Sequence, residues 1–159
     1  MKVAAPIRIL GIGSPLGDDE VGWLVAKVLQ QNLDLNNLSV SMHDRPGANL
    51  IRLMHGAEIV ILIDAIITEA TPGTLYRLEG NAIHQAFQNQ TSTHGFGLAE
   101  ALKLAQALGE APANVVLWGM EIVSADPAMG MSDTVREAIP ALVNAIEDEV
   151  TVILERNEN

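Results

Sequence analysis

The chain has 159 residues and a formal net charge of −11 at pH 7, and 48% of its residues are apolar. This length suits one compact domain with a substantial core. Its nine Lys and Arg residues are scattered and form no basic stripe. The sequence therefore predicts neither nucleic acid nor an anionic membrane surface as a partner.

The sequence contains no cysteine, which excludes disulfides, thiolate metal sites and a cysteine nucleophile. No apolar run approaches the roughly 18–20 residues that a membrane span requires. The sequence shows no basic start followed by a long apolar segment, so it does not predict a signal peptide. We therefore expect a cytoplasmic protein, and we expect it to be a monomer.

Short apolar segments alternate with segments of helical period along the chain. The predicted strands are 7–12, 38–44, 59–63, 74–78 and 115–118, and the fourth is a candidate antiparallel edge strand. The first predicted helix begins at Val21 and runs for about four turns. Further helices are predicted at 46–55, 96–108 and 135–150, and a helix or loop at 82–90. Pro140 predicts a kink or a restart in the last helix, and residues 155–159 are expected to fray.

The order of these elements determines the expected fold class. A continuous apolar run such as 59–63 is typical of a strand buried on both faces of a parallel sheet. Strands alternating with helices predict one three-layer α/β/α domain over 1–159, with a mostly parallel, twisted sheet of about five strands flanked by helices.

Acidic residues and two histidines lie near the ends of the predicted strands or at the start of a predicted helix. Ligands of open α/β sheets bind beyond the carboxyl ends of the strands, so these side chains are expected at one rim. They are Asp18, Asp19, Glu20, His43, Asp44, Asp64, Glu121 and, before the helix at 96–108, His94. Two carboxylates and an imidazole suit a divalent ion such as nickel, iron, manganese or zinc. Such an ion could polarise a peptide carbonyl or activate a water, and Asp44 and Glu121 are candidates either to orient its ligands or to be merely solvated.

Three segments resemble motifs of one known family. Residues 11–22, which read GIGSPLGDDEVG, resemble the opening motif of the [NiFe]-hydrogenase maturation endopeptidases. The Ile63-Asp64-Ala65 segment, followed by Pro72-Gly73-Thr74, resembles the second metal-ligand segment of that family. Residues 92–98 resemble its histidine-bearing segment, and the likeness as a whole covers roughly residues 7 to 145.

The resemblance implies both a site and a substrate. Asp19, Asp64 and His94 would be the metal ligands and the catalytic residues, with Asp18 and Glu20 as alternates for the first ligand. The partner would be the precursor of a [NiFe]-hydrogenase large subunit that already carries nickel. The enzyme would recognise that substrate-borne nickel and remove a C-terminal extension, using a water activated by the metal or by a carboxylate. Cadmium or zinc could occupy the same ligands in vitro.

Two departures from the family pattern affect the first ligand. Ser14 stands where the family has asparagine, and the loop from Gly13 to Gly22 is one residue shorter than the common form. Aligning Val21 and Gly22 from the right favours Asp19.

Other interpretations of the same residues remain open. Gly11 and Gly13 could begin a dinucleotide-binding turn, although Gly17 follows Gly13 by four residues instead of three. A non-catalytic protein that checks for nickel would need the same ligands. The methionines at 120, 129 and 131 could line a groove for the substrate tail or belong to the core.

Overall fold

The computed structural model describes residues 7–88, 97–124, 126 and 128–158. The strands are β1 Ile7–Gly13, β2 Leu38–Asp44, β3 Ile59–Ile66, β4 Leu75–Glu79 and β5 Asn114–Glu121. The helices are α1 Val21–Asn32, α2 Leu50–Met54, α3 Asn81–Gln88, α4 Leu98–Ala107 and α5 Asp133–Glu158. Two 3-10 turns, Gly17–Glu20 and Gly47–Asn49, precede α1 and α2.

The five strands form one sheet in the order β2-β1-β3-β5-β4. All neighbours are parallel except β4, which pairs antiparallel with β5 at the edge. The register aligns the carboxyl ends of the parallel strands, with Gly13 opposite Asp44 and Ile66 opposite Glu121. The predicted mostly parallel sheet and its antiparallel edge strand are therefore confirmed.

Apolar side chains cover both faces of the sheet and create two cores. On one face, α1 and α5 pack against alternate residues such as Ile9 and Ile61. On the other face, α2, α3 and α4 pack against the intervening residues, such as Leu10 and Leu62. The domain is thus a three-layer α/β/α sandwich, as the alternation of elements predicts. Within the described residues, no helix combines the length and hydropathy needed to cross a bilayer.

Strands β3 and β5 continue beyond the ends that the sequence predicts. The sequence predicts that these strands end at Ile63 and Trp118, but Asp64 pairs with Gly119 and Glu121 pairs with Ile66 inside the ladder. Backbone pairing continues because Ile66 and the next apolar residue of β5, Met120, are also buried. Asp64 and Glu121 are therefore strand residues themselves, and do not merely follow the strands.

Helix α5 runs without interruption through Pro140 to Glu158, so the predicted restart is wrong. Buried residues on both sides of the proline, including Val135 and Leu142, join the same core. This continuous apolar stripe compensates for the backbone hydrogen bond that the proline removes. Residues 155–158, where the sequence predicts fraying, are helical.

Candidate active site

An acidic 3-10 turn, Gly17–Glu20, connects β1 to α1 and is called the acidic turn below. Its backbone begins at Gly17 with φ of +60°, a conformation that glycine adopts without strain. A Cβ at Gly17 would lie 2.7 Å from the carbonyl oxygen of Met129, so a larger residue would displace the neighbouring loop. The turn can approach that loop closely only because position 17 lacks a side chain.

Gly22 places the start of α1 directly on the sheet. A Cβ at this position would lie 2.3 Å from the carbonyl oxygen of Ile12 and 2.8 Å from that of Ile63. The first turn of α1 therefore sits on the backbone of β1 and β3, one residue before Asp64. This contact brings the acidic turn against β3.

Asp19 and Asp64 are the two predicted ligands that the structure describes. They are 2% and 3% exposed, respectively. The Ala65 amide donates to Asp64 Oδ1 at 2.8 Å, and the Ser14 amide donates to the Asp19 carbonyl at 3.3 Å. Burial of a carboxylate is costly unless polar groups or a cation compensate it. Two such carboxylates at the same sheet edge are suited to receive a cation.

The third predicted ligand, His94, lies outside the described residues. Among the residues that are described, no three histidine or acidic side chains are grouped to hold a metal ion. The described part of the site is therefore the carboxylate pair.

Asp18 uses both carboxylate oxygens to hold a distant loop. The Ser132 amide donates to Oδ1 at 2.7 Å, the Val123 amide donates to Oδ2 at 3.0 Å, and the Ser132 hydroxyl lies 3.1 Å from each oxygen. Asp18 is 3% exposed, so these bonds satisfy a buried charge. They assign Asp18 a positioning role, and Glu20 is only half-buried. Asp19 is as buried as Asp18 and stays the predicted first ligand.

Glu121, a candidate to orient ligands, fixes the segment that follows Asp64. It is 1% exposed, and its carboxylate accepts bonds from the Thr68 amide at 2.7 Å, the Thr68 hydroxyl and the Tyr76 hydroxyl at 2.9 Å. Burial raises the pKa of Tyr76, which stays a hydroxyl donor at neutral pH. Sequence reasoning missed Thr68 and Tyr76, because a polar residue beyond a strand and another in an edge strand carry no distinctive pattern.

His43 and Asp44 lie at the end of β2, away from these buried bonds. His43 Nε2 lies 2.8 Å from the Ser41 hydroxyl, and the Trp23 indole donates to the His43 carbonyl at 3.1 Å. Burial lowers the pKa of His43, which favours the neutral imidazole. Asp44 is 59% exposed and forms a surface ion pair with Arg45 at 3.8 Å. Asp44 is therefore a solvated acid at this rim.

The three methionines near the rim have different environments. Met120 is fully buried in the core and Met131 packs against it, while Met129 is 53% exposed. The core interpretation is therefore right for Met120, and only Met129 offers a large exposed surface.

The acidic turn also argues against the nucleotide-binding interpretation. A dinucleotide phosphate binds at the helix N-terminus that follows a glycine-rich turn. Here the residues before α1 are three acids, Asp18, Asp19 and Glu20, of which the first two are buried. Carboxyl side chains at that position disfavour a phosphate there.

The sequence model of the family described as hydrogenase maturation protease matches residues 24–149. The matched range includes Asp64 and His94 and begins just after the motif at 11–22. The hydrogenase 2 maturation protease of Escherichia coli (strain K12) is 31% identical over 140 residues, covering 86% of this chain and 85% of that protein.

Solved structures share the same architecture. The hydrogenase maturating endopeptidase HybD from E. coli superposes with a TM-score of 0.80 at 27% identity, covering 89% of each chain. The [NiFe] hydrogenase maturation protease HybD from Thermococcus kodakarensis gives a TM-score of 0.70 at 25% identity, covering 90% of this chain and 97% of that one.

Proposed function

The chain belongs to the hydrogenase maturation protease family, and on that basis we propose that it cleaves the precursor of a [NiFe]-hydrogenase large subunit. The proposed reaction removes the C-terminal extension of a precursor that has already received nickel. The nickel arrives with the substrate and serves as the recognition signal.

The placement of Asp19 and Asp64 is the observation that supports this proposal most directly. Both carboxylates are buried at the carboxyl edge of the sheet, one in the acidic turn and one in β3. Buried anions gain most from a cation delivered to them, because water screens the attraction poorly at such a site. A precursor without nickel offers no such charge, so it would bind more weakly.

His94 would complete the ligand set from the segment before α4. Carboxylate and imidazole ligands suit a divalent ion of borderline softness such as nickel. Engaging the substrate through its metal would place the adjacent peptide bond beside the carboxylates. An ionised carboxylate next to the scissile peptide bond could accept a proton from the attacking water.

Intact-mass analysis of the cognate precursor, with and without nickel loading, tests the proposal. We expect loss of a C-terminal peptide from the nickel-loaded precursor alone. Equal cleavage of both forms would contradict the nickel check. Binding of the loaded precursor without a change in mass would instead indicate a non-catalytic nickel-checking protein.

Substitutions test the ligand assignment. We expect Asp64→Asn and His94→Ala each to slow cleavage by about 100-fold or more, the scale on which losing one electrostatic group slows an active site. Asp44→Asn is the matched control, since it makes the same chemical change on an exposed carboxylate at the same sheet edge. Full activity in Asp64→Asn and His94→Ala would overturn the assignment.

A further inference from the structure

Three large apolar side chains are exposed at the rim beside the carboxylate pair. Leu16 is 48% exposed, Val123 is 49% exposed and Met129 is 53% exposed. They are called the rim patch below. Exposed apolar side chains that cluster next to a site commonly mark a binding surface.

Backbone contacts bring the three residues of the rim patch together. Leu16 directly precedes Gly17, which lies against the carbonyl of Met129. The next residue, Asp18, accepts a hydrogen bond from the amide of Val123. The patch is therefore assembled from two segments of chain that the acidic turn joins.

The rim patch is continuous with the carboxylate pair. On one side it adjoins Asp18, the neighbour of Asp19. On the other side, the residue before Val123 is Ile122, whose amide donates to the carbonyl of Ile66, two residues beyond Asp64. The rim patch therefore borders both segments that carry Asp19 and Asp64.

We propose that the rim patch binds apolar side chains of the precursor segment next to the cleaved bond. This inference rests on the proposed function, because it assigns the substrate that the carboxylate pair would act on. The nickel of the precursor would be recognised at the carboxylates. The patch would set the direction in which the precursor's peptide segment runs from them. The hydrogen bond from the Val123 amide to Asp18 holds the backbone of the patch at that residue before the substrate binds, which reduces the backbone freedom lost on binding.

The experiment uses polar substitutions of similar volume in the full-length protein. The variants are Leu16→Asn, Val123→Thr and Met129→Gln. Leu35→Asn and Leu108→Asn are matched controls, because those leucines are 46% and 58% exposed. They lie near the C-terminal ends of α1 and α4, on the side of the domain where the parallel strands begin. KM and kcat for cleavage of the nickel-loaded precursor, and its Kd, are measured for each.

We expect each rim-patch substitution to raise KM and Kd by about tenfold, which corresponds to about 1.4 kcal/mol. Because the carboxylates stay in place, kcat should change less than threefold, and the two control variants should match the wild type. Melting temperatures equal to the wild type would exclude a merely structural effect of the rim substitutions.

The outcomes separate this inference from the proposed function. If the wild type cleaves the precursor and all three rim variants keep its KM and Kd, the proposed role of the rim patch is overturned and the protease proposal stands. Binding without cleavage, weakened by the rim substitutions, would support the patch and overturn the protease. A wild type that neither binds nor cleaves its cognate nickel-loaded precursor would overturn both.

Discussion

The carboxylate of Asp18 connects parts of the chain that are distant in sequence. Its partners Val123 and Ser132 lie 105 and 114 residues further along. Both partners donate backbone amides, which a folded chain must satisfy when it buries them. A single side chain thus determines how the loop after β5 approaches the acidic turn.

Removing this carboxylate should destabilise the protein more than removing one of its donors. Asp18→Ala leaves two amides without an acceptor and is expected to lower the free energy of unfolding by about 3 kcal/mol. Ser132→Ala keeps the hydrogen bond from the backbone amide to Asp18 and loses only the hydroxyl. It is therefore expected to lower the free energy of unfolding by about 1 kcal/mol. Urea denaturation of both variants measures the difference. Equal losses would show that the backbone bonds to Asp18 contribute little.

At the scale of elements, the contact between α1 and the sheet sets the geometry of the site. Gly11 and Gly22 allow the helix and strand backbones to approach closely, since a Cβ at Gly11 would lie 2.6 Å from the carbonyl oxygen of Gly22. The acidic turn ends where α1 begins, so the depth at which the helix packs also determines where Asp19 lies.

Gly22→Ala tests that close packing. Alanine normally favours a helix over glycine by about 1 kcal/mol. Here its Cβ would meet two backbone carbonyl oxygens, which cannot move aside, so we expect a loss of about 2 kcal/mol. Gly130→Ala is the control, because no described atom other than those of its chain neighbours lies within 4 Å of its added Cβ. Thermal or urea unfolding should leave Gly130→Ala within about 0.5 kcal/mol of the wild type, and a stabilised Gly22→Ala would contradict the packing argument.

Local patterns were sufficient to predict most elements, and the exceptions have physical reasons. Helical period and apolar runs located the strands and the larger helices, because these patterns reflect burial of one or both faces. The ends of β3 and β5 were misplaced since an acid can occupy a strand position when its neighbours keep pairing. The restart predicted at Pro140 does not occur, because the core holds both halves of α5 and local rules do not include that core.

At the scale of the whole molecule, topology explains which parts of the site the sequence could predict. Parallel strands place their carboxyl ends together, so an acid near the end of β3 and acids after β1 were expected at one rim. The separate roles of Asp18, Asp19 and Glu121 could not be predicted. Those roles depend on amides and hydroxyls from distant segments, whose positions are known only once the chain is folded.

The net charge leads to a prediction about assembly. A charge of −11 on 159 residues produces mutual repulsion between copies of the chain. We expect sedimentation equilibrium to give one species near 17.0 kDa at low micromolar concentration. A mass near twice that value would contradict the expected monomer and would make the rim patch a candidate dimer contact.

The bonds from Asp18 to Val123 and Ser132 also affect when the protein becomes active during its synthesis. The acidic turn leaves the ribosome early. Val123 and Ser132, which donate hydrogen bonds to the Asp18 carboxylate, follow only after β5 and the loop beyond it have been synthesised. Closing a loop of more than a hundred residues also has an entropic cost that the completed core must offset. We therefore expect a chain truncated before Val123 to lack an ordered rim and to leave the nickel-loaded precursor uncleaved.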